Sequence, residues 1–221
     1  MSIEFELKYR ATPAQLAAIE GAFSGEVRVL NMETTYYDTP GGDFSARKIT
    51  LRRRMENGTP VCTLKTPAVM KPEIAPKALP SVATPVYPRA CNDTDMVAAR
   101  GEYECCCDSI EAALPELCKL AGLPELLILA EAGLCSVCGA RFTRMAKLLT
   151  FPDFTAELAL DRGVLTGGDK EIPLCEAEVE LKSGSPEAMC AFAGELAEKY
   201  GLVPESRSKF RRALALAKGE D

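Results

Sequence analysis

Polar and apolar side chains alternate without a break at the start of the chain. Glu4, Glu6, Lys8 and Arg10 fall on one side of an extended segment, and Ile3, Phe5, Leu7 and Tyr9 on the other. The same period of two predicts strands near 26–38, 47–56, 60–66, 98–106, 134–139, 141–149, 154–162 and 173–182. Asn57-Gly58 between two of them is a hairpin turn signal. Helical patterns interrupt the strands. Thr12-Pro13-Ala14-Gln15 reads as an N-cap, a proline at the first helical position and a capping glutamine, opening a helix to about Gly21. Residues 109–132 read as a helical insertion, broken at Pro115 and again at Gly122-Leu123-Pro124. Ser185-Pro186-Glu187 opens a helix ending near Gly201, and a last helix is expected over 206–217. Six prolines between 67 and 90 predict a loop there, with one domain spanning 1–221.

The polar faces of these strands are ionised rather than merely hydrophilic. Arg52 and Arg54 share a face, as do Thr63 and Lys65, and Glu102 and Glu104. Glu157 and Asp161 oppose Leu158 and Leu160, and Glu176, Glu178, Glu180 and Lys182 alternate with Cys175, Ala177, Val179 and Leu181. Any one strand of this kind could be a solvated sheet face. A series in which acid-rich and base-rich faces alternate points instead to a sheet closed on itself, with charges lining a lumen and apolar faces covered by helices. The pattern itself therefore predicts an α+β chain whose charged sheet faces converge on a lumen, with helices over the apolar faces. A lumen of both signs suits a polyanion together with hard divalent cations, because carboxylates hold the metal and Arg and Lys hold phosphate oxygens.

Composition narrows this reading. Lys and Arg number 26 against 32 Asp and Glu, a formal net charge of −6, which argues against a nucleic-acid surface. There is no histidine, so acid–base and metal chemistry must rest on carboxylates, Lys, Tyr or Cys. The ten cysteines include Cys105-Cys106-Cys107 and a C-x-x-C at Cys135 and Cys138. They are expected to be reduced and mostly buried, with a metal or redox role as alternatives, since no second ligand pair accompanies the C-x-x-C. No apolar run is long enough to span a membrane, and the N-terminus does not resemble a signal peptide, so a cytoplasmic protein is expected.

Glu4-Phe5-Glu6-Leu7-Lys8 resembles the E-x-E-x-K strand of the CYTH superfamily, the triphosphate tunnel metalloenzymes. Further segments are similar to the family in the same order. They are Tyr36-Tyr37-Asp38-Thr39-Pro40, Leu51-Arg52-Arg53-Arg54, Thr63-Leu64-Lys65, Arg100-Gly101-Glu102-Tyr103-Glu104, Leu160-Asp161-Arg162-Gly163, Glu178-Val179-Glu180-Leu181 and Ser208-Lys209-Phe210. The resemblance implies an α+β fold, an eight-stranded antiparallel closed β-barrel flanked by helices, and metal-dependent hydrolysis of an inorganic or organic triphosphate, with class IV adenylate cyclase and non-catalytic polyphosphate or nucleotide binding as alternatives. It implies Mg²⁺ or Mn²⁺ on Glu4, Glu6, Asp161, Glu178 and Glu180. Phosphate would fall to Lys8, Arg52, Arg54, Lys65, Arg144 and Lys209, and catalysis to Glu4, Glu6, Lys8 and Lys65. Glu102, Glu104, Glu157 and Glu176 would stand behind these groups. A Lys with a depressed pKa is one possible acceptor of the water proton. Which of Arg141, Arg144 and Lys147 face inward is open at this stage. The implied partner is a small triphosphate, with neither nucleic acid nor membrane, and a homodimer is possible.

Overall fold

The structure, a computed structural model, describes residues 2–67 and 98–220, with side chains over 5–67 and 101–220. The expected loop at 67–90 therefore lies outside the described residues, apart from Pro67 at the end of a strand. The elements in order are β1 (Ser2–Arg10), α1 (Pro13–Ala22), β2 (Arg28–Asp38), α2 (Asp43–Ala46), β3 (Thr50–Glu56), β4 (Thr59–Pro67) and β5 (Ala98–Cys106). They continue with α3 (Ile110–Ala121), α4 (Leu126–Ala130), β6 (Cys135–Thr150), β7 (Phe154–Gly167), β8 (Lys170–Gly184), α5 (Pro186–Tyr200), β9 (Val203–Pro204) and α6 (Lys209–Lys218).

All pairings are antiparallel, and β1 closes the sheet. Its first half pairs with β5, placing Ser2 opposite Glu102, and its second half with β8, placing Lys8 opposite Glu178. With the order β5-β4-β3-β2-β6-β7-β8-β1, this makes an eight-stranded ring, and β9 adds a short rung beside Tyr9 and Arg10. The closed barrel expected from the charged alternation is present.

Outward faces are apolar where helices cover them. Leu7, Tyr9, Leu158, Leu160, Ala177 and Val179 pack under Leu16 and Ile19 of α1 and Met189 and Ala193 of α5. Leu51, Cys62 and Leu64 pack under Ala113, Leu114 and Leu117 of α3. A third cluster lies on the lumen side, where Ala140, Phe142, Leu165 and Leu174 meet Phe210 and Ala213 of α6. Gly167 permits that approach, since a Cβ there would come within 2.5 Å of backbone atoms of both Ala213 and Ala217.

Several boundaries differ from those expected. β6 runs unbroken over Cys135–Thr150 and joins the strands expected at 134–139 and 141–149, because Gly139 and Ala140 remain in register with β2 and β7. α3 passes through Pro115, which sits on the helix's exposed face, where a carbonyl deprived of its donor can be hydrated. Gly122 then ends α3 in the left-handed region at φ 69°, with Leu123 N–H donating to the Cys118 carbonyl. Lys147 points outward and donates to the carbonyls of Glu20 and Phe23 at the end of α1. Arg144, three residues earlier, lies on the opposite face of the strand and lines the lumen. Of the nine described cysteines, Cys62, Cys118, Cys138 and Cys190 are buried and Cys106 and Cys135 exposed, and all nine are free thiols. No helix among the described residues is long and apolar enough to cross a membrane.

Candidate active site in the barrel lumen

The barrel encloses a cavity of about 370 Å³ whose walls differ in charge. Its basic wall comes from β3 and β4. Strand alternation puts Arg52 and Arg54 inward while Leu51 and Arg53 turn out, and Arg52 lies opposite Thr63 of β4. These cations are held in the lumen by carboxylates. Glu102 takes Arg52 and Lys65, each at 3.1 Å, and Glu104 lies 3.7 Å from Arg52 and 3.9 Å from Arg54 while accepting a hydrogen bond from Thr63. Arg54 also pairs with Glu56.

Across the cavity, β7, β8 and β1 bring carboxylates into a row. Glu157 lies opposite Glu180, and Glu180 opposite Glu6, all three lining the cavity. Like charges directly across a sheet repel. Here they are relieved by Lys8 at 3.2 Å from Glu6, by Lys182 at 2.8 Å from Glu180 and by the Arg28 side chain, itself 63% exposed, at 2.9 Å from Glu157.

Beneath this row lies a knot of ions. Asp161 and Glu176 are each 0% exposed. Arg144 grips Asp161 through two hydrogen bonds of 2.8 Å and also contacts Glu178. Lys209, from the first turn of α6, reaches Asp161 at 2.8 Å, Glu176 at 2.6 Å and Glu178 at 2.7 Å. Arg212, one turn along α6, takes the other oxygen of Glu176. Burial works to raise the Glu178 pKa, but Lys209, Arg144 and Lys8 outweigh it and hold the carboxylate well below its ordinary value. Burial likewise works to lower Lys209, and Asp161, Glu176 and Glu178 carry it well above the usual lysine range. Lys8 is raised as well, since Glu6 and Glu178 overcome its desolvation.

The third wall is uncharged. The inward positions of β2 after Arg28 are Leu30, Met32, Thr34 and Tyr36, with Phe142 beside Met32 and Phe210 5.1 Å from the Tyr36 ring. Lys209 and Arg144 sit over the Phe142 ring at 5.2 and 5.9 Å.

Oxygen-only donors suit Mg²⁺ or Mn²⁺. Asp161, Glu176 and Glu178 offer oxygens within 4.8 Å of one another. Three cations already match their three charges, and the described lining of the cavity includes Glu178 but neither Asp161 nor Glu176. The row Glu157, Glu180 and Glu6, with Glu178 one rung away, is also matched by cations, but it faces the cavity, and two of its partners, Arg28 and Lys182, are exposed enough to give way to a divalent ion. The donor set fits the metal better there.

Lys8, Arg52, Arg54, Lys65, Arg144 and Lys209 all converge on the cavity, as do Glu6, Glu102, Glu104, Glu157, Glu178 and Glu180. Glu4 lies in β1 with its backbone opposite Arg100, and its side chain is outside the described residues. Sequence reading missed the neutral β2 wall, Phe142 and Arg212. Lys209 and Arg212 are three apart on one helix, and that spacing is the signal that would have found Arg212.

The CYTH domain family pattern matches residues 2–214. An inorganic triphosphatase of Haemophilus influenzae is 28% identical over 187 residues, 85% of this chain but only 46% of that protein, so the chain spans about half of that relative. A candidate adenylyl cyclase from Hippeastrum with a dominant triphosphatase activity superposes with a TM-score of 0.62 at 17% identity, covering 99% of this chain and 97% of the other. A candidate adenylate cyclase from Bacillus halodurans does so with a TM-score of 0.57 at 16% identity, covering 96% and 97%. At these identities the two likenesses concern the fold.

Proposed function

The chain belongs to the CYTH domain family, and from that premise we propose that it hydrolyses a triphosphate in its lumen with a divalent metal, Mg²⁺ or Mn²⁺. The observation that carries the reading is the facing of two walls across one cavity, with Arg52, Arg54 and Lys65 on one side and Glu6, Glu178 and Glu180 on the other. A triphosphate laid between them would meet cations along its length and metal ligands at its reacting end. The inorganic triphosphatase name of the Haemophilus relative supports this choice of chemistry.

In phosphoryl transfer the protein chiefly positions groups and neutralises charge. When bound, the ion would neutralise phosphate oxygens and activate water. Glu6, Glu178 and Glu180 would hold it, with Glu4 contributing from the same strand as Glu6. Arg52, Arg54 and Lys65 would exchange Glu102, Glu104 and Glu56 for phosphate oxygens, so these carboxylates keep the basic wall extended and ready. In the metal-free protein Glu6 and Glu178 overcome the desolvation of Lys8 and keep it charged. It would act as a further cation, leaving the lumen carboxylates to take the water proton.

The test is incubation with inorganic tripolyphosphate, thiamine triphosphate and ATP, each with Mg²⁺ or Mn²⁺. Metal-dependent release of orthophosphate is expected, and its absence from every substrate would overturn the reading. The neutral wall of Leu30, Met32 and Tyr36 favours a second reading, in which an organic group lies beside the triphosphate. Turnover of ATP or thiamine triphosphate exceeding that of tripolyphosphate would support it. Pyrophosphate and cyclic AMP from ATP would replace hydrolysis with cyclisation.

A further inference from the structure

Glu176 and Arg212 lie outside the described lining of the cavity, yet both hold the helix that reaches into it. The two carboxylate oxygens of Glu176 are divided between successive turns of α6, one on Lys209 at 2.6 Å and the other on Arg212. Lys209 and Arg212 share a helix face by their spacing, so one buried side chain fixes both the rotation and the depth of the helix. The turn thus fixed presents Ser208, Lys209 and Phe210 to the lumen. Ser208 also caps α6, accepting from the Arg211 N–H at 3.2 Å.

Charge sharpens the point. Asp161, Glu176 and Glu178 carry three negative charges, and Arg144, Lys209 and Arg212 carry three positive ones. The Lys209 ammonium has three donors and three carboxylate partners. Without Arg212, Glu176 would remain buried with Lys209 as its principal cation. The set would then hold a net negative charge beside the lumen, where the field is poorly screened.

We infer that Glu176 and Arg212 are positioning residues, which seat α6 and set how much Lys209 charge reaches the phosphate, and that Glu176 is not a metal ligand. The inference rests on the triphosphate reading for its ligand. Arg212 acts only through Glu176 and Lys209, so its removal should change anion binding without its touching the anion.

Tripolyphosphate binding by calorimetry in EDTA, Mn²⁺ binding by paramagnetic resonance and amide exchange over residues 209–213 test this together. Arg212→Met is expected to weaken tripolyphosphate at least about fivefold and to speed exchange in α6. Arg212→Met combined with Glu176→Gln restores neutrality and is expected to return affinity to within about threefold of the original, a rescue consistent with removing both members of a buried pair. The double variant, which leaves the charge of the set balanced, should also keep Mn²⁺ affinity within about twofold, whereas loss of a ligand would cost 10-fold or more. Unchanged tripolyphosphate affinity in folded Arg212→Met, no recovery in the folded double variant, or a 10-fold loss of Mn²⁺ binding in the folded double variant would each overturn the inference. If Arg212→Met does not fold, the double variant and the Mn²⁺ titration decide. If the unaltered protein binds no tripolyphosphate, the triphosphate reading fails. Amide exchange and Mn²⁺ binding then judge the seating of α6 separately.

Discussion

Two carboxylates of the same wall, Glu180 and Asp161, stand in opposite situations, and the difference predicts opposite responses to neutralisation. Glu180 faces the cavity between Glu157 and Glu6, so like charges across both strands offset its part-exposed pairing with Lys182 at 2.8 Å. Glu180→Gln should leave the metal-free protein unchanged or stabilise it by up to about 1 kcal/mol. Under the proposed function it should also lower Mn²⁺ affinity 10-fold or more, measured by denaturation in EDTA and by Mn²⁺ titration. Asp161 is fully buried, and both its oxygens are taken by Arg144. Asp161→Asn would leave the guanidinium with Glu178 alone and should cost roughly 3–5 kcal/mol, as breaking a buried pair usually does. Equal stability losses in the two variants would show that both carboxylates are scaffold. Neither burial nor partner is visible in the repeating acidic positions of the sequence, which is why the two residues read alike there.

Strands were the most legible elements, because period-two alternation marks both the strand and the face it turns inward. β1 shows this best, with Glu6 and Lys8 in the lumen and Leu7 and Tyr9 under the helices. β2 resisted the reading because both of its faces are largely uncharged, so the rule that charged means inward does not apply to Leu30, Met32 and Tyr36. Their burial depends on α6, which lies far along the chain. Lys147 was ambiguous for a related reason. A buried lysine that satisfies the last carbonyls of α1 cannot be told from a lumen lysine until the helix is in place. Gly163 carries a packing demand that sequence shows only as a glycine in a strand. A Cβ there would lie 2.0 Å from the Arg141 carbonyl oxygen and 2.5 Å from Phe142 Cα, both on the paired strand β6. Gly163→Ala must therefore separate β6 from β7 beside Arg144 and Asp161. A loss of about 3 kcal/mol is expected in chemical denaturation, at the upper end of ordinary overpacking because backbone cannot step aside. A cost below about 0.5 kcal/mol would mean that the two strands are not held as closely as described.

The chain as a whole has no histidine, so no side chain has an ordinary pKa between 5 and 8, and the limits of stability are set by groups far from neutrality. On the acid side the governing group is Glu178, held well below its ordinary 4.5 by Lys209, Arg144 and Lys8 against its desolvation. A depressed folded pKa means that the unfolded chain takes up the proton first. Its contribution is therefore complete above about pH 4.5 and is lost progressively as pH falls below that. On the alkaline side burial pushes Cys62 and Cys118 up to about 11 and Cys138 to about 12, from an ordinary 9.0. For these thiols the unfolded chain releases its protons first, so their contribution is complete below about pH 9 and fades as pH rises toward the folded values. Lys209, raised above 10.5, adds to the same limb at still higher pH. Melting temperature in EDTA should therefore be nearly flat between about pH 5 and 9 and fall on both sides. Cys138→Ala is expected to make the alkaline fall shallower without moving the acid limb, because Cys138 packs under α6 among apolar side chains and is separate in charge from Glu178. A transition centred between pH 6 and 8, or an alkaline limb unchanged in Cys138→Ala, would show that other groups govern the stability of the barrel.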